Sequence, residues 1–336
     1  MKSLQLKTPG SLDGIQWTDS AAPVVGEYDV LVHVKATSIN YRDYAFIMGR
    51  YPVVKPLPVV LGSDAAGIVE RVGSKVTRFI PGDRVISLLR QRWYGGKLDA
   101  FKASLQLGAS VDGVFTEYIS FHEQSIAKAP STLSFEEAAT VPTAGLTAFR
   151  VLTQSGIQAG DTVLLQGTGG VSLYALQLAK RMGLRVIVTT GKKENEEFLR
   201  QLGADAIINY KLYPQWSQQV LELTHSRGVD LVMDVAGGSS VQQSIHAAAV
   251  NGEVALIGFL EDTKTAIDLV SVIRRNIRLQ AYTTGSREDL EQFVKFLEVN
   301  PVRPVIAGVY DDYHTAFKVF EGNKTPGKII VRTPEV

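Results

Sequence analysis

Cysteine is absent from all 336 residues, which excludes disulfides, thiolate zinc ligands and a cysteine nucleophile. Charge of one sign is lacking too: 35 Lys and Arg against 34 Asp and Glu leave a net charge of +1. Neither a nucleic-acid groove nor a membrane-surface patch is expected from that balance. No apolar run approaches the roughly 20 residues of a spanning helix, and Met1-Lys2-Ser3-Leu4-Gln5-Leu6-Lys7 lacks the apolar core of a signal peptide. Repeats and low-complexity tracts are missing as well. The histidines, His33, His122, His225, His246 and His314, are scattered without shared ligand spacing, so no metal site is expected. These absences predict a soluble, cytoplasmic protein, and the length leaves room for two domains.

What is present centres on residues 162–182. The apolar run Val163-Leu164-Leu165 is followed by Gly167-Thr168-Gly169-Gly170-Val171-Ser172, and Val171, Ala175, Leu178 and Met182 then recur at helical spacing. Glycines where a buried strand gives way to a helix allow a tight turn and close backbone approach to a pyrophosphate, which the first free N–H groups and the helix dipole also attract. Ser172 stands where a third glycine is often found and is small enough for close helix–strand packing. Context supports the motif: 185–189, 206–208, 229–234, 253–258 and 277–282 read as strands, with helices over 194–202 and 240–249. Alternating strands and helices predict a doubly wound parallel sheet, a Rossmann dinucleotide-binding domain.

The first part of the chain has another texture. Residues 29–36, 65–73 and 113–119 read as short strands, 81–86 as a turn followed by a strand, and few helices fit. A β-rich, barrel-like domain is therefore expected before the Rossmann domain. Ser134 and Glu137 have the spacing of a capping box, Pro142 interrupts, and residues 145–152 resume as a helix. The final strand, 328–331, is expected to return to the first domain.

The second Rossmann strand ends in Thr189-Thr190-Gly191-Lys192-Lys193, without the acid that usually binds the ribose hydroxyls of NAD. Lysines stand where a 2′-phosphate would need them, so NADPH (NADP) is favoured over NADH, with Thr190, Gly191, Lys192 and Lys193 at the site. Gly237 and Gly238, and Gly258-Phe259, fall at carboxyl ends of strands, where a cofactor crevice forms.

Taken together, Ala36-Thr37-Ser38-Ile39-Asn40-Tyr41-Arg42-Asp43, Gly62-Ser63-Asp64-Ala65-Ala66-Gly67, Pro81-Gly82-Asp83-Arg84-Val85, the stretch 138–148, the glycine motif and Gly203-Ala204-Asp205 closely resemble the medium-chain dehydrogenase/reductase superfamily, in its zinc-free quinone oxidoreductase-like branch. The resemblance implies an α/β protein with a GroES-like catalytic domain over 1–125 and 286–336 and a Rossmann domain over 126–285. It also implies an active site in the cleft between them and a homodimer. Positions that hold catalytic zinc in relatives correspond here to Asn40, Ser63 and Thr143, none a competent ligand; the structural-zinc lobe would fall within 89–112, which has no cysteine. Tyr210 matches a tyrosine that contacts the adenosine phosphate in related reductases, whereas Asn195 replaces a phosphate-binding lysine. Tyr51 matches a tyrosine lining the substrate site of quinone oxidoreductases.

Without a metal, hydrogen-bond donors must stabilise the charge that develops on the substrate. Hydride transfer from NADPH to a quinone or an activated alkene, an α,β-unsaturated carbonyl, suits such a site better than deprotonation of a plain alcohol. Asn40, Tyr41 and Tyr51 are the candidate donors, while Arg42 and Asp43 are expected to pair with each other or with the backbone. Thr143 and Thr147 either contact the nicotinamide or stabilise the bridging helix. The loop 89–111, with Arg90 and Arg92, is read as the edge that sets specificity. The expected partner is a small-molecule electrophile; the rival readings are a zinc-independent alcohol dehydrogenase or carbonyl reductase, and a nucleotide-binding sensor.

Overall fold

Short β-branched runs that follow one another across helices can hydrogen-bond side by side only in parallel, and residues 147–283 do so. The computed structural model describes residues 1–51, 54–322 and 325–333; residues 334–336, expected to end the first domain, lie outside them. Two compact units emerge, one of residues 1–146 with 284–336 and one of residues 147–283.

The second unit is a six-stranded parallel sheet in the spatial order Ala206–Asn209, Arg185–Thr190, Thr162–Gln166, Val229–Asp234, Ala248–Leu256 and Arg278–Ala281. That order reverses between Thr162–Gln166 and Val229–Asp234, the switch point where a doubly wound sheet opens its crevice. Thr162–Gln166 is buried along its whole length, as a strand covered on both faces must be. Leu164, Ile187, Val232 and Val254 meet Val220, Val241 and Ile245 from the helices Trp216–Leu223 and Ser240–Ala247 in one apolar cluster. The strand expected over 253–258 begins at Ala248 instead. The helix before it stops at Ala247 and the chain turns directly into the sheet, so the sequence offers no loop residues to mark the change.

In the first unit the central strand Asp29–Ser38 pairs antiparallel with Asp64–Val72, with Tyr118–His122 and with the last strand, Lys328–Arg332. The end of the chain therefore returns to the first unit, as expected from its sequence. Arg84–Ser87 and Ile126–Lys128 continue this sheet. Residues 126–146, expected with the dinucleotide-binding domain, thus belong to the first unit, because Ile126–Lys128 finds its hydrogen bonds at Arg84–Ser87. Of the stretch 113–119 only the part from Tyr118 onward forms a ladder strand. Gly113 packs against the carbonyls of Leu61 and Gly62, too close for any Cβ; Phe115 O accepts from Leu4 N–H, and Glu117 donates its N–H to Lys2 O and accepts from Lys2 N–H through its side chain.

Two local features shape the surroundings of Asn40 and Thr143. A helix the sequence did not announce, Tyr41–Ile47, starts directly after the central strand. At Ser134 the capping box forms as expected, with Glu137 answering at 2.9 Å, and Pro142 lies in a wide turn, Val141–Gly145, that leads into the helix Leu146–Gln154. No helix among the described residues is long and apolar enough to cross a membrane.

Candidate active site

The glycine loop of the second unit is built as a cradle. Gly167 takes φ +71 and donates its N–H to Thr189 O, Gly169 caps the helix Gly170–Arg181, and a Cβ on either glycine would meet no atom within 4 Å. The space over these two residues is open, so packing within the chain does not require glycine at 169; close approach by a ligand would. Ser172 lies buried under the turn and donates to Gln166 O at 2.6 Å, which ties the helix to the strand. Gly170 and Val171 are the first helical residues, half-buried and in line with the free N–H end. Thr168 accepts from Asn195 Nδ2 at 3.4 Å, so the asparagine braces the loop.

At the end of the next strand, Thr190 accepts from Lys192 N–H through its hydroxyl and from Tyr210 N–H through its carbonyl. A Cβ on Gly191 would lie 2.5 Å from the Tyr210 hydroxyl, so this exposed ring rests directly over the glycine. Lys192 is half-buried and Lys193 exposed. Across the switch point, Gly237 at φ +68 and Gly258 are needed for contact between two loops: a Cβ at 237 would sit 2.7 Å from Asp262 O and 2.9 Å from Phe259 Cα, and one at 258 would sit 2.4 Å from Val235 O. The loop 235–238 hangs from buried Asp234, which accepts from the N–H groups of Ala236 and Gly237. Thr147 is buried on its helix.

In the first unit a second polar group assembles around Asn40. This residue ends the central strand's run and caps Tyr41–Ile47, its N–H donating to Asp43 Oδ2 at 2.9 Å. Its side-chain nitrogen donates to Ser63 Oγ at 3.2 Å, and its side-chain oxygen accepts from Lys328 Nζ at 2.5 Å. Lys328 also donates to Ile39 O at 2.6 Å. Thr143, the third of the expected zinc-ligand positions, donates its hydroxyl to Asp64 Oδ1 at 2.5 Å. Asn40, Ser63 and Thr143 therefore gather around one buried charge cluster, with Lys328 and Asp64 between them.

Electrostatics follow from burial. Asp43 and Asp64 have no exposed surface. Loss of water pushes Asp43 up to about 6, against the pull of Arg42. Burial likewise raises Asp64, with Lys328, Asn40, Thr143 and Arg42 opposing the rise. Burial lowers Lys328 while Asp64 and Asp43 hold it up. Arg42 lies 3.7 Å from Asp43 and donates to Leu107 O at 3.0 Å, so its expected structural role agrees with its contacts. Among the described residues, Asp64 Oδ2, Asp43 Oδ1 and Arg42 Nη2 have no hydrogen-bond partner.

The other expected donors lie nearby in sequence, and Tyr51 is close enough to Arg42 to act on its charge. Tyr41 is half-buried against the first unit's core; Tyr51 is 37% exposed with its ring 5.2 Å from Phe46. Tyr44 is committed to Glu321 at 2.7 Å. In the loop 89–111, Trp93 is buried, Arg90 donates to Ala103 O, and Arg92 donates to Ser104 Oγ and lies over the Phe101 ring. Its guanidinium groups are used to hold the loop itself together. Lys328 is the buried side chain of the cluster that sequence reasoning missed. Its one signal was a charged residue opening an otherwise apolar strand, Lys328-Ile329-Ile330-Val331.

Comparison with known proteins identifies the scaffold. Residues 26–131 match the alcohol dehydrogenase GroES-like domain, and residues 170–299 match the zinc-binding dehydrogenase domain. A zinc-type alcohol dehydrogenase-like protein of Schizosaccharomyces pombe is 37% identical over 313 residues, 90% of each chain. Acryloyl-coenzyme A reductase of Metallosphaera sedula is 28% identical, covering 99% of this chain and 100% of that one. A solved structure of a putative alcohol dehydrogenase from Sinorhizobium meliloti superimposes with a TM-score of 0.90 at 34% identity, over 99% of both chains. The zinc named for the second domain does not fit the residues present. At the three positions that the resemblance assigns to catalytic zinc, all outside residues 170–299, stand an amide and two hydroxyls where zinc takes thiolate, imidazole or carboxylate; the Lys328 ammonium donates into their midst, and no group of three His, Asp or Glu among the described residues could hold a metal. A nicotinamide dinucleotide, by contrast, fits the open glycine cradle and the switch-point crevice. With nine-tenths of its length aligned to a relative at 37% identity, and with both domains matched, the chain belongs to the medium-chain dehydrogenase/reductase superfamily and is an oxidoreductase of that family.

Proposed function

We propose that this protein is an NADPH-dependent, zinc-independent reductase that delivers hydride to a quinone or to the activated alkene of an α,β-unsaturated carbonyl. The observation that carries the reading is the Asn40, Ser63 and Thr143 cluster with a lysine ammonium beside it: a site equipped with hydrogen-bond donors and no ligand set for a metal. Bound NADPH supplies the hydride. Gly167, Thr168, Gly169, Gly170, Val171 and Ser172 hold its pyrophosphate, and Gly237, Gly258 and Phe259 shape the crevice farther along. Thr190, Gly191, Lys192, Lys193 and Tyr210 receive the adenosine end. Asn40 donates to the electrophile's oxygen, with Tyr41 and Tyr51 as further donors, and Thr143 and Thr147 as neighbours of the nicotinamide. Negative charge on an enolate or hydroquinone is spread over several atoms, so neutral donors suffice to stabilise it. A relative named for the reduction of acryloyl-coenzyme A supports the alkene side of the reading. The same reading takes the protein to be a cytoplasmic homodimer.

Anaerobic oxidation of NADPH, with chelator present, against a naphthoquinone, an enal and an enone tests it: turnover that survives the chelator is expected. Replacing Lys192 and Lys193 by alanine should weaken NADPH binding roughly tenfold, the worth of one charge-assisted contact, and leave NADH binding nearly unchanged; equal losses would remove the 2′-phosphate assignment. A carbonyl reductase is the second reading, favoured by the alcohol dehydrogenase names among the relatives. An allylic alcohol as the product of the enal would decide for it.

A further inference from the structure

An ammonium group enters a protein interior only where carbonyl and carboxylate oxygens replace its water. Lys328 is placed in that way, enclosed by Ile39 O at 2.6 Å and Asn40 Oδ1 at 2.5 Å, with Asp64 and Asp43 as its charge partners. Its bonds go to one short stretch of chain, and one of them ends on the residue proposed above as the donor to substrate. An amide whose oxygen is held by a cation loses electron density at nitrogen, and its N–H groups become stronger donors, because successive hydrogen bonds polarise one another. One Asn40 Nδ2 hydrogen goes to Ser63 Oγ. Hydrogen bonding from the amide helps hold the Asp64 carboxyl down, yet Asp64 Oδ2 completes no well-formed hydrogen bond among the described residues, so the second Nδ2 hydrogen is not locked in place. Asn40 keeps 9% of its surface exposed while Ser63 and Asp64 keep none. The amide is thus gripped through its oxygen by Lys328 and through one of its hydrogens by Ser63.

We propose that Lys328 is a positioning residue of the reductase: its ammonium fixes the Asn40 amide with Oδ1 inward and polarises it, so that the remaining Nδ2–H donates to the oxygen of the hydride acceptor. The inference rests on the reductase reading and deepens it by naming what stands in for the metal's positive charge. A cation one amide removed from the substrate does part of the polarising. Lys328 neither gives nor takes a proton in this role, and no bond to it forms or breaks. Asp64 and Asp43 keep the cluster near neutrality with Arg42, so the field of Lys328 reaches the substrate through the oriented amide.

The test uses cyclohexenone, isotope-labelled at its carbonyl carbon and bound together with the oxidised nucleotide so that no turnover occurs. Infrared difference spectroscopy should place its carbonyl stretch below the value in water. In Lys328→Met combined with Asp64→Asn, which removes one cation and one carboxylate together, the band should return toward the water value. The kcat for cyclohexenone should then fall roughly tenfold to a hundredfold, as on loss of a supporting outer-shell partner, with KM little changed. Lys328→Arg, which retains the cation, should keep a lowered band. Asn40→Ala leaves every charge of the cluster in place and should lose the low band even if the double variant fails to fold. An unchanged band and unchanged kcat in the double variant, or a low band that persists without the Asn40 amide, would overturn the role of Lys328. A wild-type protein that reduces no quinone, enal or enone overturns the reductase reading instead.

Discussion

Asp234 in the second unit and Asp64 in the first are both buried to 0% exposure, yet their surroundings treat the charge in opposite ways. Asp234 accepts from two backbone N–H groups through one oxygen and from Ser244, Ser240 and Gln166 through the other. Gln166 in turn accepts from Val235 and Ala236 N–H. Around Asp64 the count is thin: Thr143 donates to one oxygen, and the other has no hydrogen-bond partner among the described residues. A saturated carboxylate fixes a loop and has nothing left to offer. An unsaturated cluster is held by charge, costs stability, and is retained where chemistry needs strong local fields.

The sharpest way to break this contrast is to unbalance the first cluster. Lys328→Met alone should destabilise the protein by about 3–5 kcal/mol, the cost of stripping one partner from a buried pair, as measured by denaturant unfolding. Adding Asp64→Asn should recover most of that loss; a single variant within about 1 kcal/mol of wild type would show that the lysine is not a needed counter-charge. A second test uses pH. Asp43 is raised in the folded protein to about 6 from an ordinary value of 3.8, so its contribution is fully present below the ordinary value and is lost as pH rises through 6. The loss is on the order of 3 kcal/mol. Wild type should therefore lose stability relative to Asp43→Asn between about pH 4 and pH 6 and track it above. Parallel curves across that window would assign the cluster's imbalance elsewhere. The smallest effect is expected at the saturated site. Asp234→Asn keeps the shape but turns an amide against existing donors, for a cost of about 2 kcal/mol read as a lower thermal midpoint.

The two sites also differ in how far the sequence revealed them. Everything around Gly167 follows from neighbours in the chain: a strand, a turn, a helix, and a second strand whose last residues lie beside the glycines. The strand alternation, the capping box at Ser134 and the return of the final strand were legible for the same reason, since local pattern and turn chemistry decide them. The Asn40 cluster is made by pairings across the fold. Lys328 lies 288 residues from Asn40, and a lysine at a strand start reads as solvated until register is known. The helix Tyr41–Ile47 escaped notice because seven residues give barely two turns of periodicity. Gly237 and Gly258 were legible as close-approach positions, but the partner of each is the other loop.

The last strand, Lys328–Arg332, lies between Ile306–Tyr310 and Asp29–Ser38, and this placement sets a timetable for synthesis. The unit of residues 147–283 is continuous in sequence and can fold as soon as the ribosome has released it. The earlier-made residues 1–146 must wait through that whole interval with Ala36–Ser38, the part of the central strand's edge that the last strand covers, unpaired. Their site gains its cation only after residue 328 has emerged. The unit of residues 147–283 thus has the opportunity to mature first, and the charge cluster around Asn40 is completed only afterwards.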